Sequence, residues 1–296
     1  MPTFDPETLR LDVTDGLTLA ADAYGDANAP VVLLLHGGGQ TRHSWGGTAR
    51  ALAERGYRAI AVDARGHGES DWSRDRLYSF DPFARDLDAI ARRCARPPAV
   101  VGASLGGNTA MLANGELRTE LGAIVLVDIG PKVQAEGVER IVQFMRARPE
   151  GYADLDDVAD AVAAYQPHRE RPKDVSGLAK NLRRDADGRY RWHWDPAFLD
   201  AMFEQRPELQ GRLEHAARNL DCPVLLVRGR LSDLLSEDQA REFLVSCAHA
   251  EYADVADAGH MVAGDVNDRF TDAVVSFLER KYAASRSPLN IQESLP

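Results

Sequence analysis

The stretch VVGASLGG, residues 100–107, decides how this chain reads. An apolar run ends at Gly102, Ser104 stands between Gly102 and Gly106, and a run of small residues compatible with a helix follows. The pattern predicts a buried strand over 98–102 that hands over to a helix through one tight turn. At such a turn, a side chain two residues before or after the serine meets the neighbouring strand or helix, and glycine removes that contact. A serine held there projects its hydroxyl beyond the carboxyl end of the strand. The helix N-terminus beneath it favours developing negative charge. A Gly-x-Ser-x-Gly pentapeptide can also serve plain close packing. Its place after an apolar strand and before a helix is what points Ser104 toward nucleophilic chemistry.

Working outward, the flanking sequence repeats the strand–helix alternation. Two alternating segments, 9–14 and 17–24, are joined through Asp15-Gly16, a hairpin signal. Five consecutive apolar residues at 31–35 suit a strand buried on both faces. Helical spacing at 45–56, with Gly56 as its stop, precedes a strand at 58–63. A second helix over 81–94 has Asp81 as its expected N-cap and Pro82 in its first turn. Strand character returns at 122–128. Residues 131–218 hold helical windows, such as VERIVQFMRARP, and no clean buried strand. Strands at 222–228 and 250–255 and helices at 236–247 and 268–284 close the pattern. Alternation of this kind predicts an α/β fold built on a mostly parallel sheet with helices on both faces.

Composition narrows the partners. The 296 residues carry a formal net charge of −11, and the arginines are interleaved with acids, which argues against a nucleic-acid partner. No run of 18 or more consecutive apolar residues occurs, so no membrane span is expected, and the N-terminus shows no signal-peptide pattern. Three scattered cysteines suit neither a disulfide framework nor a zinc site. Taken together these features suggest a cytoplasmic protein. No Walker-type or dinucleotide-binding glycine pattern follows the 31–35 strand, and no acidic or histidine cluster has metal spacing. No cofactor and no metal are therefore expected. Oligomeric state is not readable from the sequence, although a homodimer is a common arrangement among soluble enzymes.

A serine nucleophile needs a base, an acid to orient it and donors for the oxyanion. Of eight histidines, His260 lies in DAGHMV, between the last predicted strand and the last helix, on the loop side that Ser104 faces. Asp233, in VRGRLSD after the 222–228 strand, completes the order Ser104, Asp233, His260. Asp128, at the end of the 122–128 strand, is the competing acid. The backbone N–H groups of Gly38, in HGGG, and of Leu105 are the expected oxyanion donors. Trp194, in RYRWHWDP, and Met261, beside the expected base, are candidates for lining a substrate pocket.

The segments LLLHGGG, VDARGHGESD (62–71), VVGASLGG, VRGRLSD and AGHMV, in this order over roughly 30–265, resemble the α/β-hydrolase superfamily. The chain looks most like its bacterial serine carboxylesterase-like branch with a helical cap. The resemblance implies an eight-stranded core over 1–130 and 219–284 and a helical cap over 131–218, and the residues over 285–296 read as a flexible tail. It implies hydrolysis of small or medium carboxylic esters, lactones included, through an acyl-enzyme. Related hydrolases that form alkyl-enzyme esters use an aspartate at the elbow, and Ser104 argues against that chemistry. Perhydrolases and carbon–carbon bond hydrolases keep the same triad and stay open, as does a non-catalytic ligand-binding protein of this fold. Activity is expected to fall on acidification through the imidazole range, near about 6.5.

Overall fold

The computed structural model describes residues 5–165, 171, 173–204, 206–256 and 267–282. Eight strands form one sheet: β1 (Glu7–Asp12), β2 (Thr18–Tyr24), β3 (Val31–Leu35), β4 (Arg58–Val62), β5 (Ala99–Ala103), β6 (Ala123–Val127), β9 (Val224–Gly229) and β10 (Glu251–Val255), in the order β1-β2-β4-β3-β5-β6-β9-β10. The β1–β2 hairpin is antiparallel, as the Asp15-Gly16 signal requires, with Asp12 opposite Thr18. Strand β2 pairs antiparallel with β4, and every later pair in the sheet is parallel.

The continuous apolar runs follow from burial on both faces. Leu33, Val100, Ile124 and Leu226 face one cluster. They pack with α2 (Phe80–Ala91), α3 (Leu105–Gly115), α7 (Arg206–Arg218) and α8 (Glu237–Ser246). Their chain neighbours Leu34, Val101, Val125 and Leu225 face the other, with α1 (Gly46–Glu54) and α9 (Asn267–Lys281). Successive strand residues point to opposite sides, so each strand feeds two cores, and a fully buried aliphatic side chain contributes about 1.5–3 kcal/mol. The second helix begins at Phe80, with Ser79 in the extended N-cap position. Asp81 therefore lies inside the first turn, where a carboxylate still complements the helix dipole.

Between β6 and β9 the chain leaves the sheet. This insertion holds α4 (Ala135–Arg146), α5 (Leu155–Tyr165), α6 (Pro196–Glu204) and α7, together with a hairpin of β7 (Leu182–Arg184) and β8 (Tyr190–Trp192). The two hairpin strands are three residues each and only partly buried, too short to leave an alternating pattern in the sequence. Among the described residues, no helix is long and apolar enough to cross a membrane. Residues 285–296 lie outside the described residues.

One buried ion pair ties the hairpin to the helical layer. Arg65, fully enclosed, grips Asp86 of α2 through two hydrogen bonds of 2.6 and 2.7 Å. The same guanidinium reaches Asp15 at 2.9 Å and the Thr14 hydroxyl at 2.8 Å, while that hydroxyl donates to Asp86 at 2.6 Å. Removing one partner strands a charge away from water, which costs about 3–5 kcal/mol. Asp86→Ala is therefore expected to lower unfolding free energy by about that amount. Thr14→Val, which removes a neutral hydroxyl bonded to both ions but leaves the ion pair itself, should cost less, about 1.5–3 kcal/mol. Urea denaturation of both variants checks the ranking.

Candidate active site

Ser104 sits at the crossing between β5 and α3 with φ 46 and ψ −109, outside the helical and strand regions. A non-glycine residue held in such a region costs about 1–3 kcal/mol and persists only where its surroundings impose it. The neighbouring glycines impose it. A Cβ on Gly102 would lie 2.5 Å from the Gly106 backbone, and one on Gly106 would lie 2.4 Å from the Leu35 carbonyl oxygen. Nothing larger than glycine lets α3 start this close to β5 and β3.

The glycine loop after β3 abuts this turn. A Cβ on Gly37 would lie 3.4 Å from Ser104 Cβ. Gly38 packs against Phe198, and Gly39 (φ 76) packs against Met145 and Trp194. Leu105 is the first residue of α3, where a backbone N–H has no acceptor within its own helix. Gly38, Ser104, Leu105 and Trp194 all line one cavity of about 590 Å³, bounded below by the carboxyl ends of the strands and above by the insertion. Four of the residues singled out from the sequence thus share one space.

The acids separate clearly. Asp233, expected to orient the base, has a carboxylate that is 44% exposed and paired with Arg140 of α4 at 2.8 Å. Asp128 is fully buried at the carboxyl end of β6, the strand beside β5, and has φ 50. Its carboxylate accepts the Gly229 N–H at 3.2 Å and the Ser232 hydroxyl. Ser232, one residue before Asp233, thus occupies the inward position of the loop after β9. A shift of one residue turns Asp233 toward solvent. His260 and Met261 lie outside the described residues.

Beneath the glycine loop lies a feature that the sequence did not reveal. His36, His67 and His193 are buried with adjoining rings, the centroids 5.2 and 5.9 Å apart. Each accepts a backbone N–H. His36 Nε2 takes that of Ala64 at 3.0 Å, His67 Nε2 takes that of Gly39 at 3.1 Å, and His193 Nδ1 takes that of Gly68. An accepting ring nitrogen carries no proton, so all three imidazoles are neutral. Burial pushes His36 and His67 below the ordinary range, His67 strongly, and pushes His193 down to about 4. Asp63, fully buried at the end of β4, accepts the Arg42 N–H at 2.7 Å and the Glu69 N–H at 3.0 Å and pairs with the Arg42 guanidinium. The signal for this cluster was present as HGGG, GHGES and WHW, but only the fold brings residues 36, 67 and 193 together.

Residues 30–265 match the family model described as the alpha/beta hydrolase fold, so the chain belongs to the α/β-hydrolase family. It is 31% identical over 247 residues to the esterase Rv0045c of Mycobacterium tuberculosis, covering 80% of this chain and 79% of that protein. It is 28% identical over 267 residues to the mouse sn-1-specific diacylglycerol lipase ABHD11, covering 86% of this chain and 82% of that protein. The crystal structure of E-2-(acetamidomethylene)succinate hydrolase superposes with a TM-score of 0.82 at 23% identity, over 93% of this chain and all of that one, a likeness of fold.

The buried imidazoles make stability pH-dependent. Their folded pKa values lie below the value of about 6.5 they regain on unfolding. The unfolded chain therefore binds more protons once pH drops below that value, and stability falls as pH goes from about 6.5 toward 4. A thermal midpoint at pH 5 at least about 5 °C below that at pH 7 is expected. The slope should be shallower in His193→Asn, whose amide oxygen can still accept the Gly68 N–H but cannot titrate. Equal slopes in thermal scans of the two proteins would rule this cause out.

Proposed function

We propose that this α/β hydrolase cleaves carboxylic esters through an acyl-enzyme on Ser104, with His260 as base, Asp128 as the acid that orients it, and the N–H groups of Gly38 and Leu105 as oxyanion donors. The observation that carries this reading is the left-handed backbone of Ser104 at a strand-to-helix turn that opens onto a largely apolar cavity beneath the insertion. The esterase and lipase activities named for the relatives agree with it.

In this reading Ser104 Oγ attacks the ester carbonyl carbon while His260 takes its proton. Negative charge collects on the former carbonyl oxygen, facing the first N–H of α3 and the glycine loop, where fixed donors need not reorganise. The C–O bond to the alcohol then breaks, and His260 returns the proton to the leaving oxygen. Water, deprotonated by the same imidazole, attacks the acyl-enzyme and releases the acid and Ser104. Asp128 suits the third role for electrostatic reasons. A fully buried carboxylate one strand from Ser104 interacts with an imidazolium through little water, whereas the Asp233 charge is exposed and already paired with Arg140. The helical segment between β6 and β9 serves as the cap.

The test is hydrolysis of p-nitrophenyl butanoate by wild type and three variants. Ser104→Ala should lose at least about a thousandfold. Asp128→Asn, which presents the wrong hydrogen-bonding partner to the imidazole, should lose about a thousandfold or more in kcat, while Asp233→Asn keeps at least a tenth of the activity. The opposite ranking of the two aspartates would return the acid's role to Asp233. A folded protein that neither turns over esters nor reacts with a fluorophosphonate at Ser104 would overturn the hydrolase reading in favour of a ligand-binding role. Labelling without ester turnover would direct the search to perhydrolysis or carbon–carbon cleavage, to be separated by product analysis.

A further inference from the structure

The walls of the cavity say more than its position. Its described lining contains no Asp, Glu, Lys, Arg or His. The polar side chains are few; in addition to Ser104 they include Gln40, Asn108, Tyr165 and Gln210. The roof is α4. At its first turn, a Cβ on Gly137 would lie 2.4 Å from the Asp233 carbonyl oxygen, in the loop after β9. At its last turn, Met145 presses on Gly39, in the loop after β3. The helix therefore crosses the carboxyl ends of β9, β6, β5 and β3, about 14 Å of sheet edge at ordinary strand spacing.

Val138, Ile141, Val142 and Met145, at helical spacing, form the underside of α4 and line the cavity. The cations of this helix are turned aside. Arg140 pairs with Asp233 at 2.8 Å and Arg146 with Asp200 at 2.9 Å. Two aromatic pairs complete the wall, Trp192 on Trp194 at 5.2 Å and Phe144 on Tyr165 at 4.2 Å. The apolar stripe from Val138 to Met145 is about 10 Å long, at 1.5 Å per residue. An extended chain advances about 1.2 Å per bond, since three backbone bonds span about 3.5 Å. The stripe thus accommodates roughly eight bonds.

We infer that this cavity, on the reading of Ser104 as the nucleophile, selects neutral esters with an apolar acyl chain of about eight to ten carbons and rejects acyl groups that end in a carboxylate. The acyl group is the part that stays bonded to Ser104 while the alcohol leaves and water enters, so it is the part that gains from the apolar surface under α4. A carboxylate placed along the stripe loses its hydration and meets no described cation in return. That disfavours succinate-like and other dicarboxylic acyl groups.

The experiment compares p-nitrophenyl esters of increasing acyl length, acetate to hexadecanoate, together with the mono-p-nitrophenyl ester of octanedioic acid. Burial of a methylene is worth up to about fourfold, so kcat/KM should rise at least tenfold from the four-carbon to the eight-carbon ester. It should fall again beyond about ten to twelve carbons. The octanedioate monoester should be at least a hundredfold slower than octanoate. Ile141→Arg, confirmed folded by its thermal midpoint, should raise the octanedioate-to-octanoate ratio at least tenfold. Val142→Phe should move the optimum to shorter chains.

A flat chain-length profile, or an octanedioate ester hydrolysed as fast as octanoate, would overturn the inference while the hydrolase reading stands. The inference also falls if octyl acetate is preferred over ethyl acetate and the acyl series shows no trend, since the chain would then belong to the alcohol. Failure of every ester together with failure of fluorophosphonate labelling would instead overturn the nucleophile reading on which this inference rests.

Discussion

The constraint on which this structure depends is the absence of room for a Cβ where α3 leaves β5. Gly102 and Gly106 touch backbone to backbone, and Gly106 also meets the carbonyl of Leu35 on the neighbouring strand. That contact brings three things to one point: the end of β5, the end of β3 with its glycine loop, and the positive end of a helix. Ser104 takes its unusual backbone because the chain has no other way through this crossing. The two apolar cores above and below the sheet hold the strands in register and so keep the crossing fixed.

Around that point runs a polar frame that water does not reach. Asp63, Arg42 and three neutral imidazoles join the loops after β3 and β4 to the insertion. The Tyr78 hydroxyl adds a bond of 2.6 Å to Asp195, whose own N–H donates to the Gly66 carbonyl at 2.8 Å. Buried ionic and polar groups of this kind contribute little net stability, because desolvation offsets their attraction, but a wrongly placed partner is heavily disfavoured. Their effect is on geometry. They determine where the glycine loop and the first residues of the insertion lie relative to Ser104.

The insertion then divides its own charges from its apolar surface. Arg140, Arg146 and Arg148 point outward into ion pairs with Asp233, Asp200 and Asp157. The opposite side of α4 and the stacked tryptophans face the cavity. Exposed pairs of this sort are worth well under 1 kcal/mol each. Their consequence for chemistry is that no described cation is left to greet an anion inside.

Much of this was legible in the chain. The β-strand runs at 31–35, 98–102 and 122–128, the Asp15-Gly16 hairpin and the Gly-x-Ser-x-Gly turn are local patterns. Burial on both faces and close backbone approach leave marks in composition that need no partner to be read. Which of Asp233 and Asp128 is buried was not legible. Both follow apolar strands, and the difference is a one-residue offset that sends Ser232 inward and Asp233 out to Arg140. The short hairpin of the insertion and the meeting of His36, His67 and His193 were hidden for a related reason, since each depends on contacts between residues far apart in sequence. The sequence by itself determined the strands of the main sheet, the turn and the serine, because period and glycine spacing are properties of neighbours. Only the tertiary structure decided which carboxylate is buried, which imidazoles touch and which face of α4 closes the cavity, because burial and charge pairing are properties of the packed whole.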